Sequence, residues 1–97
     1  MELIWTPHAR QARTAAIDYI AKDSPHAALA QLNEIERQTD MLIDYPEMER
    51  LGRVDGTREL VISNTSFVAI YRLNLPANRI ELFRFVHSSQ RWPATVR

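Results

Sequence analysis

Three side chains in this sequence could together do acid–base and anion chemistry: Arg58, Arg84 and His87. A histidine can take or give a proton near neutral pH. Two guanidinium groups can hold a phosphate and stabilise the charge that develops on it. Gathered at one edge, the three would form a small cationic site, with His87 as general acid or base in phosphodiester cleavage. Spacing alone does not gather them. In an extended run from Arg79 to His87, Ile80, Leu82, Arg84 and Val86 share one side, and Glu81, Phe83, Phe85 and His87 share the other. Arg84 and His87 meet only if a bulge near Phe85 or Val86 shifts the alternation, or if the strand ends there. Otherwise Arg84 pairs with Glu59 or Glu81, and His87 closes the strand through a backbone hydrogen bond.

Other chemistries find less support. His8, His26 and His87 are scattered, with no i, i+4 pair and no His/Asp cluster, so no metal site is expected. No glycine-rich loop follows a strand, so no phosphate-bearing cofactor is expected. Ser88 and Ser89 lie beside His87, but neighbours on a strand point apart and no third group orients them as nucleophiles. The chain has no cysteine, which rules out disulfides and thiolate metal sites and fits a reducing compartment. The start, MELIWTPHARQ, has no basic lead and apolar core of a signal peptide. No apolar run approaches the roughly 20 residues that span a bilayer. A cytoplasmic protein without membrane contact is the expectation.

The formal net charge is zero, yet Lys22 is the only lysine and the other basic residues are all arginine. Zero net charge disfavours a protein that grips long nucleic acid by neutralising phosphates. Arginine suits planar, two-pronged contacts with carboxylate or phosphate, although a GC-rich source would give the same bias.

The elements that must position these groups follow from patterning. Glu2 to Trp5 is a short strand. Thr6-Pro7 and Ser24-Pro25 are two copies of one helix-start signal, a capping hydroxyl followed by proline at the first helical position. Ala9, Ala12, Ala16, Ile17 and Ile20 line a helix up to Lys22-Asp23, with Tyr19 at its edge. Ala28, Leu32, Ile35, Thr39 and Leu42 line a second helix, widened by Leu29 and Ile43 and stopped by Pro46, with Gln31, Glu34, Arg37 and Gln38 facing away. The link from Pro46 to Gly56 holds both glycines and reads as a surface loop carrying Arg50 and Arg53. Strands at Arg58 to Ile62, Phe67 to Leu73 and Arg79 to His87 are joined too tightly for crossovers, so they form an antiparallel meander. The result is one domain, 1–97, of the α+β class. Its N-terminal strand and antiparallel two-helix hairpin pack on one face of a small, mainly antiparallel sheet, leaving the other face available.

The order of these elements carries a resemblance. With LIWTPHA at the start, GTRELVIS and FVAIYRL in the middle, and ELFRFVHSSQRWP at the end, the chain resembles the RelE/ParE superfamily of type II toxin–antitoxin toxins. The resemblance covers nearly the whole chain and rests on Gly56-Thr57-Arg58-Glu59, Tyr71-Arg72 and Arg84-x-x-His87 in combination. It implies a growth-inhibiting toxin neutralised by a cognate antitoxin, through which alone it would meet operator DNA. RelE-like members are implied to be ribosome-dependent mRNA endonucleases with a basic cluster, and ParE-like members to poison DNA gyrase by binding. This chain has Val68 where RelE carries an arginine near the start of the middle strand. It also lacks a lysine cluster in the link and a catalytic tyrosine in the tail, and so looks closer to ParE. On the nuclease alternative, with ribosome and mRNA as partners, Arg58, Arg84 and His87 would be catalytic. On either reading Arg50, Arg53, Arg72, Gln90, Arg91 and Trp92 are the expected contacts with target or antitoxin.

Overall fold

Both helices start where a hydroxyl replaces a missing backbone partner. In the computed structural model, which describes residues 1–47 and 49–90, Thr6 Oγ1 accepts the Ala9 N–H at 3.3 Å and Ser24 Oγ accepts the Ala27 N–H at 3.1 Å. These caps open α1 (Pro7–Asp23) and α2 (Pro25–Asp40). Ser24 also donates its own N–H to Ile20 O at 3.0 Å, so one residue ends the first helix and begins the second. That economy forces an antiparallel hairpin. The second helix is shorter than its sequence pattern predicts. It stops at Asp40 and tightens into a 3₁₀ turn, Met41–Ile43, before the chain reaches Pro46.

The strands are β1 (Glu2–Trp5), β2 (Arg50–Leu51), β3 (Arg58–Val61), β4 (Phe67–Asn74) and β5 (Arg79–His87), in the spatial order β1-β5-β4-β3-β2. The expected meander of β3, β4 and β5 is present. Two features lay outside the sequence reading. β1 runs parallel to β5, Leu3 beside Ile80 and Trp5 beside Leu82. Part of the presumed link is a strand, Arg50 opposite Glu59 and Leu51 opposite Arg58. The loop that returns β2 to β3 needs Gly52, whose N–H donates to Thr57 O at 2.7 Å and where a Cβ would collide with Thr57 Oγ1.

The core lies between the hairpin and one face of the sheet. Ile35 of α2, Leu42 of the 3₁₀ turn, Leu60, Ile62, Ala69, Tyr71, Ile80, Leu82 and Phe85 are all buried there. The helix contributes small side chains where it crosses the sheet: Ala9 is fully buried, with Ala12 and Ala16 packed beside it. The expected α2 stripe holds at Ala28, Ile35, Thr39 and Leu42, and the Thr39 hydroxyl is satisfied by Ile35 O at 2.8 Å. Leu29 and Ile43 do not widen it; they are 58% and 42% exposed. Gln38 does not face away either. Its amide is buried because Nε2 donates to Ser63 O at 2.9 Å and Oε1 accepts the Ser63 N–H at 2.8 Å, satisfying both backbone groups where β3 gives way to a turn.

One irregularity sets the faces of the sheet. Ile70 pairs with Arg84 but its neighbour Tyr71 pairs with Leu82, so Phe83 is an extra residue in β5. Before the bulge Ile80 and Leu82 face the helices; after it Phe85 and His87 do. Arg84 and Val86 therefore lie on the outer face with Ile70 and Val68, not on the side of Ile80 and Leu82 as strict alternation predicts.

Tyr71 anchors the centre. Its ring is fully buried and its hydroxyl donates to Pro46 O at 2.9 Å, tying the 3₁₀ exit to the sheet. Burial pushes its ionisation up to about 12, the nearby Arg58 guanidinium only partly opposing this. A phenol with a raised folded value stabilises the fold fully below its unfolded value, near 10, and loses that contribution as pH rises toward the folded value. Tyr71→Phe is expected to cost about 1 kcal/mol at pH 7 for the lost hydrogen bond. In denaturant titrations, the part of the stability loss between pH 10 and 12 that Tyr71 causes should also disappear.

Candidate functional site

The bulge at Phe83 precedes both Arg84 and His87, so it moves them together and leaves them on opposite faces. A bulge two or three residues later, at Phe85 or Val86, would have joined them; this one cannot. Arg58 is elsewhere again. It aligns with Tyr71 whereas His87 aligns with Phe67, four residues along β4 and about 13 Å away at the ordinary rise of a strand. Its Nη1 donates to the carbonyls of Glu47 and Glu49 at 3.1 and 3.0 Å, which commits it to holding the loop. Arg58, Arg84 and His87 do not form a cluster.

His87 is bound into a turn. Its Nδ1 accepts the Ser89 backbone N–H at 3.1 Å and lies 2.7 Å from Ser89 Oγ, while its own N–H donates to Gln90 Oε1 at 2.7 Å. A backbone N–H can only donate, so the neutral ring carries its proton on Nε2. The ring packs edge-on against Phe67, centroids 5.8 Å apart. This is the strand-closing role that the sequence admitted for it.

On the outer face the sheet forms a basin of about 140 Å³, floored by Val68, Ile70 and Val86 and rimmed by Arg50, Arg53 and Gln90. Its polar centre is Glu59, only 4% exposed. The carboxylate accepts from Arg50 Nη2 at 2.8 Å and from the Arg53 backbone N–H at 3.2 Å, with Arg53 Nε at 3.9 Å. A buried carboxylate survives only when paired and hydrogen-bonded. Arg50 and Arg53 supply that while keeping more than half of each side chain in solvent, 56% and 64%. They are thus held in place and still available to a partner. Arg72 is on the same face but belongs to another group. It donates to Glu81 at 2.8 Å and lies 4.7 Å over the Phe83 ring, and this bond, with one from Asn74, holds the Glu81 carboxyl below its usual range.

A second concavity of about 570 Å³ opens on the helix side, between α1 and the end of the sheet. Ala12, Ala16, Tyr19 and Ile20 form one wall, and Phe67 and Phe85 the other. Gln31 lines it too, and its Oε1 is buried with no hydrogen-bond partner among the described residues. His87 and Gln90 line both concavities, so the turn they make is the partition between them. Of the expected contact residues, then, Arg50, Arg53 and Gln90 come together, Arg72 stands apart, and Arg91 and Trp92 lie outside the described residues. Among the described residues no three His, Cys, Asp or Glu side chains are grouped to hold a metal, and no helix is long and apolar enough to cross a membrane.

The sequence profile of the family described as "ParE toxin of type II toxin-antitoxin system, parDE" matches residues 3–92. The chain belongs to the ParE toxin family. Y4kP of Sinorhizobium fredii, a protein named as a toxin, is 34% identical over 92 residues, 95% of this chain and 93% of that protein. A solved structure, "Chromosomal ParDE TA system from P. aeruginosa", superposes with a TM-score of 0.77 at 27% identity, over 90% of this chain and 95% of that one. The resemblance drawn from the residues is therefore correct, and so is the α+β class. As a ParE-family toxin of a type II module, the chain has a cognate antitoxin for partner.

Two residues of this ParE-family site escaped the sequence reading. In the sequence Glu59 reads as a possible partner of Arg84 and as part of the Gly56–Glu59 run, but not as a partner of Arg50, because the two-residue β2 that pairs them is too short to show a period. Helical spacing points Gln31 to solvent, whereas the structure places it in the lining of the groove with Phe67 and Phe85 and buries its Oε1. Replacing Glu59 by leucine should leave the Arg53 N–H without its acceptor. The expected loss is about 1–3 kcal/mol in chemical denaturation, with faster hydrogen exchange at Arg53 than in the parent chain.

Proposed function

We propose that this toxin inhibits growth by binding DNA gyrase, without cleaving RNA, and that it acts in the cytoplasm. The observation that carries this reading is the separation of Arg58, Arg84 and His87. In-line attack on a phosphodiester needs a base and charge-stabilising groups about one reacting atom. Here one arginine is spent on loop carbonyls, one lies across the sheet, and the histidine has its Nδ1 turned into its own turn. Membership of the ParE family supports the same choice. A rim of half-exposed arginines anchored on a buried carboxylate suits recognition of an acidic or phosphate-bearing surface by rigid, pre-paid geometry. We assign the target contact to Arg50, Arg53 and Gln90, with Arg72 as an outlying contribution.

The antitoxin fits the other side. Tyr19 at the groove mouth and Leu29 on the adjacent helix are 72% and 58% exposed, and apolar side chains so displayed are covered in a complex. A segment that orders as it binds can follow the hairpin and still reach the partition at His87 and Gln90.

Two readouts on the purified toxin separate the targets. Gyrase inhibition with trapped double-strand breaks, and SOS induction in cells, are expected; loss of translation with cleaved mRNA and unaffected gyrase would reverse the assignment. His87→Ala should leave growth inhibition unchanged. A drop of about 10²–10⁴-fold, the usual worth of general acid–base catalysis, would instead make His87 catalytic.

A further inference from the structure

We propose that Gln31 discriminates among antitoxins. Its buried side-chain oxygen selects a partner segment that inserts an aromatic side chain bearing an N–H or O–H into the groove beside the helical hairpin. The inference rests on the seating of the antitoxin on this side of the toxin, and adds the chemistry by which one antitoxin is told from another there.

The polar requirement comes first. Gln31 Oε1 is buried in the groove wall and has no hydrogen-bond partner among the described residues, although buried acceptors are almost always satisfied. A purely apolar occupant would seal that oxygen off and leave it unpaired, which costs affinity. The occupant must therefore bring a donor. That donor is uncharged, because no Asp, Glu, Lys or Arg among the described residues lines the groove to compensate an ammonium or guanidinium. A segment that orders as it binds spends its backbone N–H groups on its own helix or strand, so the donor belongs to a side chain.

The walls select the rest of that side chain. Phe67 and Phe85, stacked at 4.8 Å and 26°, present a broad aromatic surface. Ala12 and Ala16 keep the opposite wall low, and the space left between the walls is about 570 Å³. A serine or asparagine would satisfy Gln31 and leave this surface wet. An indole or a phenol meets both demands, with an apolar ring for the phenylalanines and a polar tip for the acceptor. A site with a buried polar group rejects the analogue that lacks the matching group far more strongly than it rejects one of slightly different size. Gln31 is thus placed to set specificity, while the aromatic and alanine walls supply affinity.

The test measures the dissociation constant of the purified toxin with the antitoxin encoded in its own module. Gln31→Met keeps the length of the side chain and removes the acceptor, and affinity is expected to fall about 10-fold or more. Ala16→Met, which fills the groove, should weaken binding too; unchanged circular dichroism certifies the fold of each variant. The tryptophans and tyrosines of the antitoxin are then replaced singly by phenylalanine and combined with Gln31→Met in double-mutant cycles. One replacement should weaken binding to the parent toxin and have little effect on the Gln31→Met toxin. If Ala16→Met weakens binding and Gln31→Met does not, the inference is overturned and the antitoxin's seat stands. If neither variant weakens it, the seat falls as well. Strictly additive losses in every cycle also overturn the inference, since Gln31 would then act through packing alone.

Discussion

Leu82 and Phe85 both need the core, yet they are three residues apart in a strand whose side chains alternate with a period of two. A regular strand can bury one of them only by exposing the other. The extra residue at Phe83 resolves the conflict: Leu82 faces the helices before it, and Phe85 stacks on Phe67 after it. Without the bulge, Arg84 and Val86 would be driven beneath α1 and Phe85 and His87 would turn outward. The cost of placing a guanidinium in that alanine-lined interface far exceeds the loss of local pairing at one bulge. Ile70, opposite Arg84, consequently becomes floor on the outer face, and the faces of the whole sheet follow from that step.

From this constraint comes the division of labour. The outer face past the bulge collects Arg50, Arg53 and Glu59 over a floor of valine and isoleucine. The inner face ends in an apolar groove against the hairpin. The turn from His87 to Gln90 separates the two and contributes to both. A titratable ring built into such a partition is a structural element first. The geometry gives this ParE-family chain two unlike concavities, one polar-centred and one largely apolar, on opposite faces of the sheet.

Much of the fold was legible because its signals are local. Thr6-Pro7 and Ser24-Pro25 mark helix starts by hydrogen-bond chemistry that acts within three residues, and the alternation in Phe67 to Leu73 survives intact. What could not be read depends on distant partners. Gln38 looks solvent-facing until Ser63 arrives from β3; Arg50 looks like loop charge until β2 pairs with β3. The bulge had a trace in the spacing of Ile80, Leu82 and Phe85, but the same residues also fit a strand that simply ends. For the site, arginine and histidine types were visible in the sequence and their convergence was not. Convergence is a property of register, and register was set at Phe83.

The parallel pairing of β1 with β5 joins the first strand of the domain to its last. The edge of β5 that receives Glu2 to Trp5 does not exist until Arg79–His87 has been made. During synthesis the helical hairpin can form early, since its contacts are local, but the sheet against which it closes cannot. Any partner that recognises the finished sheet therefore meets this chain only once β5 is in place, and a truncated product that lacks β5 leaves the Glu2–Trp5 strand unpaired.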